Sequence, residues 1–185
     1  STLLDIKLNE ILKAKRIKKI IVSSPDMKIL KYVGKHYPDI ILDDRPYKYS
    51  YLNTYLDKTV TYIYKKYHNI FYNKQLIAIL QIDNPFLKAF YIDKSINIAK
   101  IFNVDSVVSV TFDNGNFFRH NGHSIVPITS GSNLRLEKDK IYREVGGLRV
   151  VNKAFFNKNK VIMGKRIGHV LVDELSAMTI NSELS

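Results

Sequence analysis

Apolar positions near the amino end recur at helical spacing. Leu4, Leu8, Ile11 and Leu12 fall on one side of a helix that runs into the basic cluster Lys13-Ala14-Lys15-Arg16-Ile17-Lys18-Lys19. Cations in a last turn complement the helix dipole. The β-branched stretch 17–23, "IKKIIVS", then reads as a strand. Ser24-Pro25-Asp26 follows as a serine N-cap with proline at the first helical position. The helix it opens carries Met27, Leu30, Val33 and Tyr37 on one side and is closed by Pro38. A second strand is expected at 39–42, and a tyrosine-rich helix over about 52–67. The next strand lies in "AILQIDNP" (78–85), apolar for three residues and then polar up to a proline. Ile92, Ile96 and Ala99 mark another helix, and "SVVSV" (106–110) another strand. This alternation predicts an α/β fold with a mostly parallel sheet covered on both faces.

Beyond residue 110 the pattern changes. Asp113-Asn114-Gly115 and Asn121-Gly122 are hairpin signals, and "SIVPI", "GGLRVV" and "RIGHVLV" read as further strands. Gly131-Ser132-Asn133 marks a loop. With no linker, repeat or low-complexity tract, residues 1–185 read as one domain with an antiparallel hairpin extension.

Composition narrows the function classes. A 185-residue chain with 45% hydrophobic and 25% charged residues is long enough and apolar enough to bury a core. The net charge of +12 raises nucleic acid as a partner, but lysines are scattered from Lys7 to Lys165 rather than gathered on one element. The surplus equally favours a phosphorylated ligand. Zero cysteines exclude disulfides, thiolate catalysis and sulfur-bound zinc. No apolar run is long enough to span a bilayer, and the amino end lacks the pattern of a signal peptide, so a cytoplasmic protein without membrane contact is expected.

Candidate chemistry sits at the polar end of "AILQIDNP". A glutamine closing a parallel strand, Gln81, stands where ligands bind in open α/β sheets. Asp83 reads either as a metal ligand or as the cap of the helix after Pro85. Arg45, in "LDDRP", reads from the residues as a loop arginine paired with Asp43 or Asp44. Ser50 and Thr54 offer hydroxyls. The pair Gly146-Gly147 suggests a close backbone approach. His120-Asn121-Gly122-His123 reads as a turn rather than a metal pair.

Several of these stretches, in order, resemble the acylneuraminate cytidylyltransferase family, the CMP-sialic-acid synthetases and their relatives. "LLDIKLNEILKAKRIKKIIVSSPD" is similar to the family's helix and strand after its phosphate loop, and "LDDRP" to its Leu-Arg-Pro turn. "LQIDNPFLKAFYIDKSINIAKIFNVDSVVSV" resembles its Leu-Gln-Pro-Thr-Ser-Pro-Leu-Arg segment with the following helix and strand. "VGGLRVVNKAFF" is placed like its Asn-Gly-Ala-Ile-Tyr-Ile stretch, and "MGKRIGHVLVDELSAMTINSELS" like its closing strand and acidic turn.

The resemblance implies a Rossmann-like nucleotidyltransferase fold that transfers CMP from CTP to an acidic sugar of the sialic-acid type, with magnesium and release of pyrophosphate. It implies nucleotide or sugar contacts from Arg45, Gln81, Asp83 and Lys88, and a homodimer through the region 112–128. Two departures accompany it. The family's glycine-rich phosphate loop has no counterpart from Ser1 onward, and the two metal-binding aspartates fall on Thr179 and Asn181, with Glu183 two residues further on. Triphosphate binding rests on preorganised amides and magnesium on carboxylates. The expectation is therefore a cytidylyltransferase-like domain with catalytic parts altered, or a non-catalytic nucleotide-binding or assembly module.

Overall fold

The computed structural model describes residues 2–51, 53–113, 115–128 and 141–180. Helix α1 (Leu3–Lys13) opens with a capping box, in which the Thr2 hydroxyl accepts from the Asp5 amide and the Asp5 carboxylate accepts from Thr2. Strand β1 (Ile21–Ser24), helix α2 (Met27–His36) and strand β2 (Ile41–Asp44) follow, and β1 and β2 pair in parallel. The cap of α2 is Asp26, whose carboxylate accepts from the Lys28 amide. The expected serine cap is displaced because the Ser24 hydroxyl accepts from the Asp26 amide instead, forming the turn before the helix.

The expected helix over 52–67 is shorter and broken. A single 3₁₀ turn (Tyr47–Tyr49) precedes α3 (Leu56–Lys66), and α4 (His68–Phe71) follows after Tyr67. The chain then enters β3 (Leu76–Leu80), α5 (Ala89–Ile101) and β4 (Ser106–Asp113). A small hairpin, β5 (Phe118–His120) and β6 (Ile125–Pro127), precedes the long strand β7 (Ile141–Asn152), helix α6 (Lys153–Asn159) and strand β8 (Ile167–Leu171).

The larger sheet has the order β3-β7-β4-β8. Both β3 and β4 run antiparallel to β7, and β8 runs parallel to β4, so three of the four strands point the same way. The fold is thus α/β with one antiparallel strand set inside an otherwise parallel arrangement. The hairpin expected at 113–115 does not join β4 to β5: the far half of β4 is taken by β7, and β5 pairs with β6. Asn121-Gly122 does form its turn, where Gly122 has φ 103° and the Asn121 side chain accepts from the His123 and Ser124 amides.

One core lies between the strands and α1, α2 and α5, built on Leu8, Ile11, Val33, Leu87, Ile92, Ile96, Val107, Leu148 and Val150. This core also takes in Val22 of β1 and Ala78 of β3, so it joins the β1–β2 pair to the larger sheet. On the opposite face Val60, Ile77, Val151, Phe156 and Ile162 pack beneath α3, α4 and α6. Full burial of each such side chain contributes roughly 1.5–3 kcal/mol. The two layers hold the carboxyl ends of the strands, and with them the polar turn after β3, in fixed positions.

Candidate functional site

The polar turn after β3 is packed against β7 and the closing segment 172–180. Asn84 is fully buried, and its amide nitrogen donates to the Met178 carbonyl (3.1 Å) and to the Thr179 hydroxyl (3.0 Å). The Ile180 amide donates to the Asp83 carbonyl at 2.8 Å. A methyl group added at Gly147 would stand 2.4 Å from the Asn84 Cβ, so glycine is required for the close approach that the sequence suggests. At Gly146 the nearest atoms to such a methyl would be Gln81 Oε1 and Asn84 Oδ1, at 3.8 and 3.9 Å. Gln81, Asn84, the glycine pair and Thr179 therefore meet at the carboxyl end of β3. Among the described residues two acceptors there, Asp83 Oδ1 and Asn84 Oδ1, are buried without a hydrogen-bond partner.

Asp83 does not cap the helix after Pro85. α5 begins only at Ala89, behind Lys88, and the Ala89 amide donates to the Glu10 carboxylate of α1. Glu10 approaches because Leu8 and Ile11 dock α1 into the same core as α5.

Beneath the turn lies Lys7, only 3% exposed. Its ammonium donates to the Asn84 carbonyl at 2.7 Å and to the Gly147 carbonyl at 3.5 Å. Burial lowers its pKa to about 8, while the Asp83 carboxylate favours the charged form. Sequence reading missed this residue. The signal was present: Lys7 lies on the stripe Leu4, Leu8, Ile11, three residues after Leu4 and four before Ile11. A lysine inside an apolar stripe needs a buried acceptor.

Lys88 stands at the edge of this site, half exposed, and donates to Asp173 at 3.0 Å. Asp173 also accepts from Tyr91 and from the Ser176 amide and hydroxyl. The Ser176 amide and the Lys88 ammonium hold this carboxyl well below the usual range. Asp173 thus fixes the closing segment to α5, and a Lys88 contact to a ligand would compete with it. Beside that segment a hollow of about 580 Å³ is lined by Thr111, Asp113, Arg143, Glu174, Met178 and Thr179.

A second polar cluster sits at the carboxyl ends of β1 and β2. Asp43 is fully buried and accepts from Ser23 (2.6 Å), Lys66 (2.7 Å) and Tyr67 (3.1 Å). Burial works against its charge, but Lys66 and Ser23 outweigh it and hold the carboxyl below its ordinary value. The same bond raises the pKa of Lys66. Arg45 follows this cluster, its backbone amide tied to the Ser24 carbonyl. Among the described residues Arg45 pairs with neither Asp43 nor Asp44: Asp43 is taken by Lys66, and the buried Arg45 Nε has no hydrogen-bond partner. Burial lowers the Arg45 pKa, and Asp43 partly offsets that. Among the described residues no hydrogen bond or ion pair joins Arg45 to Gln81, Asp83 or Lys88. The buried Ser50 hydroxyl has no partner among the described residues, and Thr54 donates to the Lys48 carbonyl.

The described residues contain no group of three or more His, Cys, Asp or Glu able to hold a metal ion. At the position where the resemblance implies a magnesium ligand, the Thr179 hydroxyl already accepts from Asn84. Asp83 is a single carboxylate facing the Lys7 ammonium. Magnesium is usually held by one or two carboxylates together with waters and substrate phosphates, and Asp83 is the carboxylate of this turn that would contribute to it. Asn181 and Glu183 lie outside the described residues.

The α/β fold of this chain is shared by solved structures of low sequence identity. Solved structures that share it are 4-diphosphocytidyl-2C-methyl-D-erythritol synthase from Anaerococcus prevotii, at 14% identity and a TM-score of 0.71, covering 100% of this chain and 82% of that one. A second 4-diphosphocytidyl-2C-methyl-D-erythritol synthase matches at 11% identity and 0.71, covering 100% and 85%. CMP:2-keto-3-deoxy-manno-octonic acid synthetase complexed with CTP matches at 10% and 0.62, covering 92% and 79%. At these identities the likeness establishes the fold. No family model and no curated protein matches the sequence.

Proposed function

We propose that the carboxyl rim of the strands is a cytidine-nucleotide site, and that the chain is a cytidylyltransferase-type domain taking CTP or CMP together with an acidic sugar of the sialic-acid type. The observation that carries this reading is the meeting of Gln81, Asn84, the Gly146–Gly147 pair and Thr179 where β3 ends, with two buried acceptors left unspent. Ligands of open α/β sheets bind outside the carboxyl ends of the strands. The named neighbours, one of them complexed with CTP, support the same choice of ligand.

The chemistry of such a transfer sets what the site must do. A sugar hydroxyl oxygen bonds to the α-phosphorus of CTP, and the bond from that phosphorus to the pyrophosphate oxygen breaks. Pyrophosphate leaves with the electron pair, and the hydroxyl proton passes to a base. Reaction requires the attacking oxygen to be held in line and the developing charge to be offset. In this reading Gln81, Asp83 and Asn84 orient hydroxyl and amino groups through their acceptor oxygens. Arg45 and Lys88 face the anionic parts, Lys88 after leaving Asp173.

Calorimetry tests the proposal, with CTP, CMP and sialic-acid-type sugars, each with and without magnesium. Binding of CMP that weakens on Arg45→Ala and on Gln81→Ala supports the reading. Silence with every ligand, and no response to either substitution, overturns it.

A second reading is favoured by one observation. Phe112, Phe118, Ile125, Ile128 and Tyr142, in and beside the β5–β6 hairpin, are 41–65% exposed. A homodimer that covers this apolar surface fits it. A strict monomer in sedimentation at high concentration contradicts that reading.

A further inference from the structure

We infer that Lys7 is the positioning residue of this rim, clamping the turn after β3 to the glycine pair of β7 and supplying the positive charge that lets Asp83 stand beside an anionic ligand. The ligand half of this inference rests on the nucleotide reading above, and the clamp half does not.

The geometry is specific. The Lys7 ammonium bridges two different segments, donating to the carbonyl of Asn84 in the turn and to that of Gly147 in β7. The Gly147 carbonyl also accepts the Gln81 amide at 3.4 Å. The backbone on both sides of the candidate contact Gln81 is therefore tied to one buried cation. An ammonium has three donors, and a buried donor seeks an acceptor. With two spent on carbonyls, one donor is left over, and among the described residues Asp83 Oδ1 of the same turn, whose carboxylate acts on Lys7, is buried without a partner. A hydroxyl or a water can accept from the amine and donate to the carboxylate, so the pair is matched to a group of that kind.

Other charges near Lys7 are engaged elsewhere. Asp5, two residues earlier on α1, accepts from Tyr32 of α2 and from Tyr37 just after it. Glu10, one turn later, accepts from Lys13 and from the Ala89 amide of α5. Lys88, at the head of α5, is held by Asp173 of the closing segment. Asp83 is the carboxylate that acts on Lys7. A carboxylate beside a phosphate repels it unless a cation intervenes, and neutralising Lys7 removes that cation.

The test combines two readouts on the full 185-residue chain. The first needs no ligand: nitrogen–proton spectra of the protein are followed from pH 6 to 10. Deprotonation of Lys7 is expected to move the Gly147 amide and the Gln81 and Asn84 side-chain amides together, with a midpoint near 8. The shared transition is expected to vanish in Lys7→Met. Spectra of Lys7→Met in which the Gly147 amide and the Gln81 and Asn84 side-chain amides keep the positions of the unsubstituted protein, or a transition that persists in Lys7→Met, overturn the clamp. If Lys7→Met fails to fold, the transition in the unsubstituted protein still decides, with Lys7→Gln, which keeps a donor, as the comparison.

The second readout is CMP affinity against pH. It is expected to fall by about tenfold between pH 7 and 9.5, the ratio that accompanies one pKa unit of linkage. In Lys7→Met it is expected to be weak and flat, whereas in the unsubstituted protein it follows the spectral midpoint. Equal affinity in the two proteins overturns the charge role. No CMP binding by either protein, with the spectral transition present, overturns the nucleotide reading and supports the clamp.

Discussion

Replacing Gly147 by alanine is the sharpest perturbation the rim offers, because its neighbour Gly146 provides an internal control. The new Cβ at 147 would lie 2.4, 2.7 and 2.8 Å from the Cβ, Cγ and Oδ1 of Asn84. Asn84 cannot swing aside freely, since it is fully buried and its amide holds Met178 and Thr179. Either β7 moves away from β3 or Asn84 gives up both bonds. Overpacking of this sort costs about 1–3 kcal/mol, and losing net hydrogen bonds costs about 1 kcal/mol each. A destabilisation of roughly 2–5 kcal/mol follows. In a chain of this length that lowers Tm by roughly 4–20 °C. At Gly146 the nearest atoms lie at 3.8 Å, ordinary contact distance, so Gly146→Ala is expected to cost less than about 1 kcal/mol. Urea unfolding of the two variants beside the parent measures the difference. Equal stabilities would refute the close packing of β7 on the turn, and with it the geometry assigned to Gln81 and Asn84.

Two further predictions concern charge. Asp43→Asn is expected to destabilise by about 2 kcal/mol, discounted from the usual cost of a broken buried pair because Lys66 is 41% exposed. Because the folded pKa of Asp43 is depressed, its stabilisation is complete above the unfolded value and fades as pH falls through the folded one. Acid titration of stability should therefore show a smaller loss below pH 4 in the variant, and parallel curves would contradict it. For Lys7 the sign is the reverse of a paired lysine's. Its pKa falls from 10.5 to about 8 on folding, so between those values the unfolded chain binds more protons and stability rises with pH. Measured against Lys7→Met, the gain from pH 8 to 10.5 should approach about 3 kcal/mol, or 2.5 pKa units at 1.36 kcal/mol each. Stability curves that run parallel for the two proteins would show that Lys7 is not buried as described.

Periodicity made much of this architecture legible, since helices with one apolar face and β-branched runs obey local rules. The apolar faces of α1 and α5 and the strand character of 106–110 follow directly from spacing. The errors arise where a side chain chooses between two local partners. Ser24 and Asp26 both suit an N-cap, and only the turn geometry gives the role to Asp26. The hairpin signal at 113–115 was overridden by tertiary pairing, because β7 is long enough to claim the whole of β4. At the site, Gln81 and the glycine pair could be found from their place at strand ends. Lys7, Asp43 and Asp173 could not be assigned in the same way. Their partners are 77, 23 and 85 residues away, and contacts at such separations leave no local pattern. Lys7 alone carried a local clue, a cation placed within an apolar stripe.

The central claim is that the carboxyl rim holds a cytidine nucleotide, and a titration with CMP followed residue by residue in nitrogen–proton spectra tests it most directly. Saturable shifts centred on Gln81, Asn84, Gly146 and Gly147 are expected. Shifts confined to the opposite end of the sheet, around Lys74, Lys100 and Asn152, or no shifts at saturating nucleotide, would contradict it.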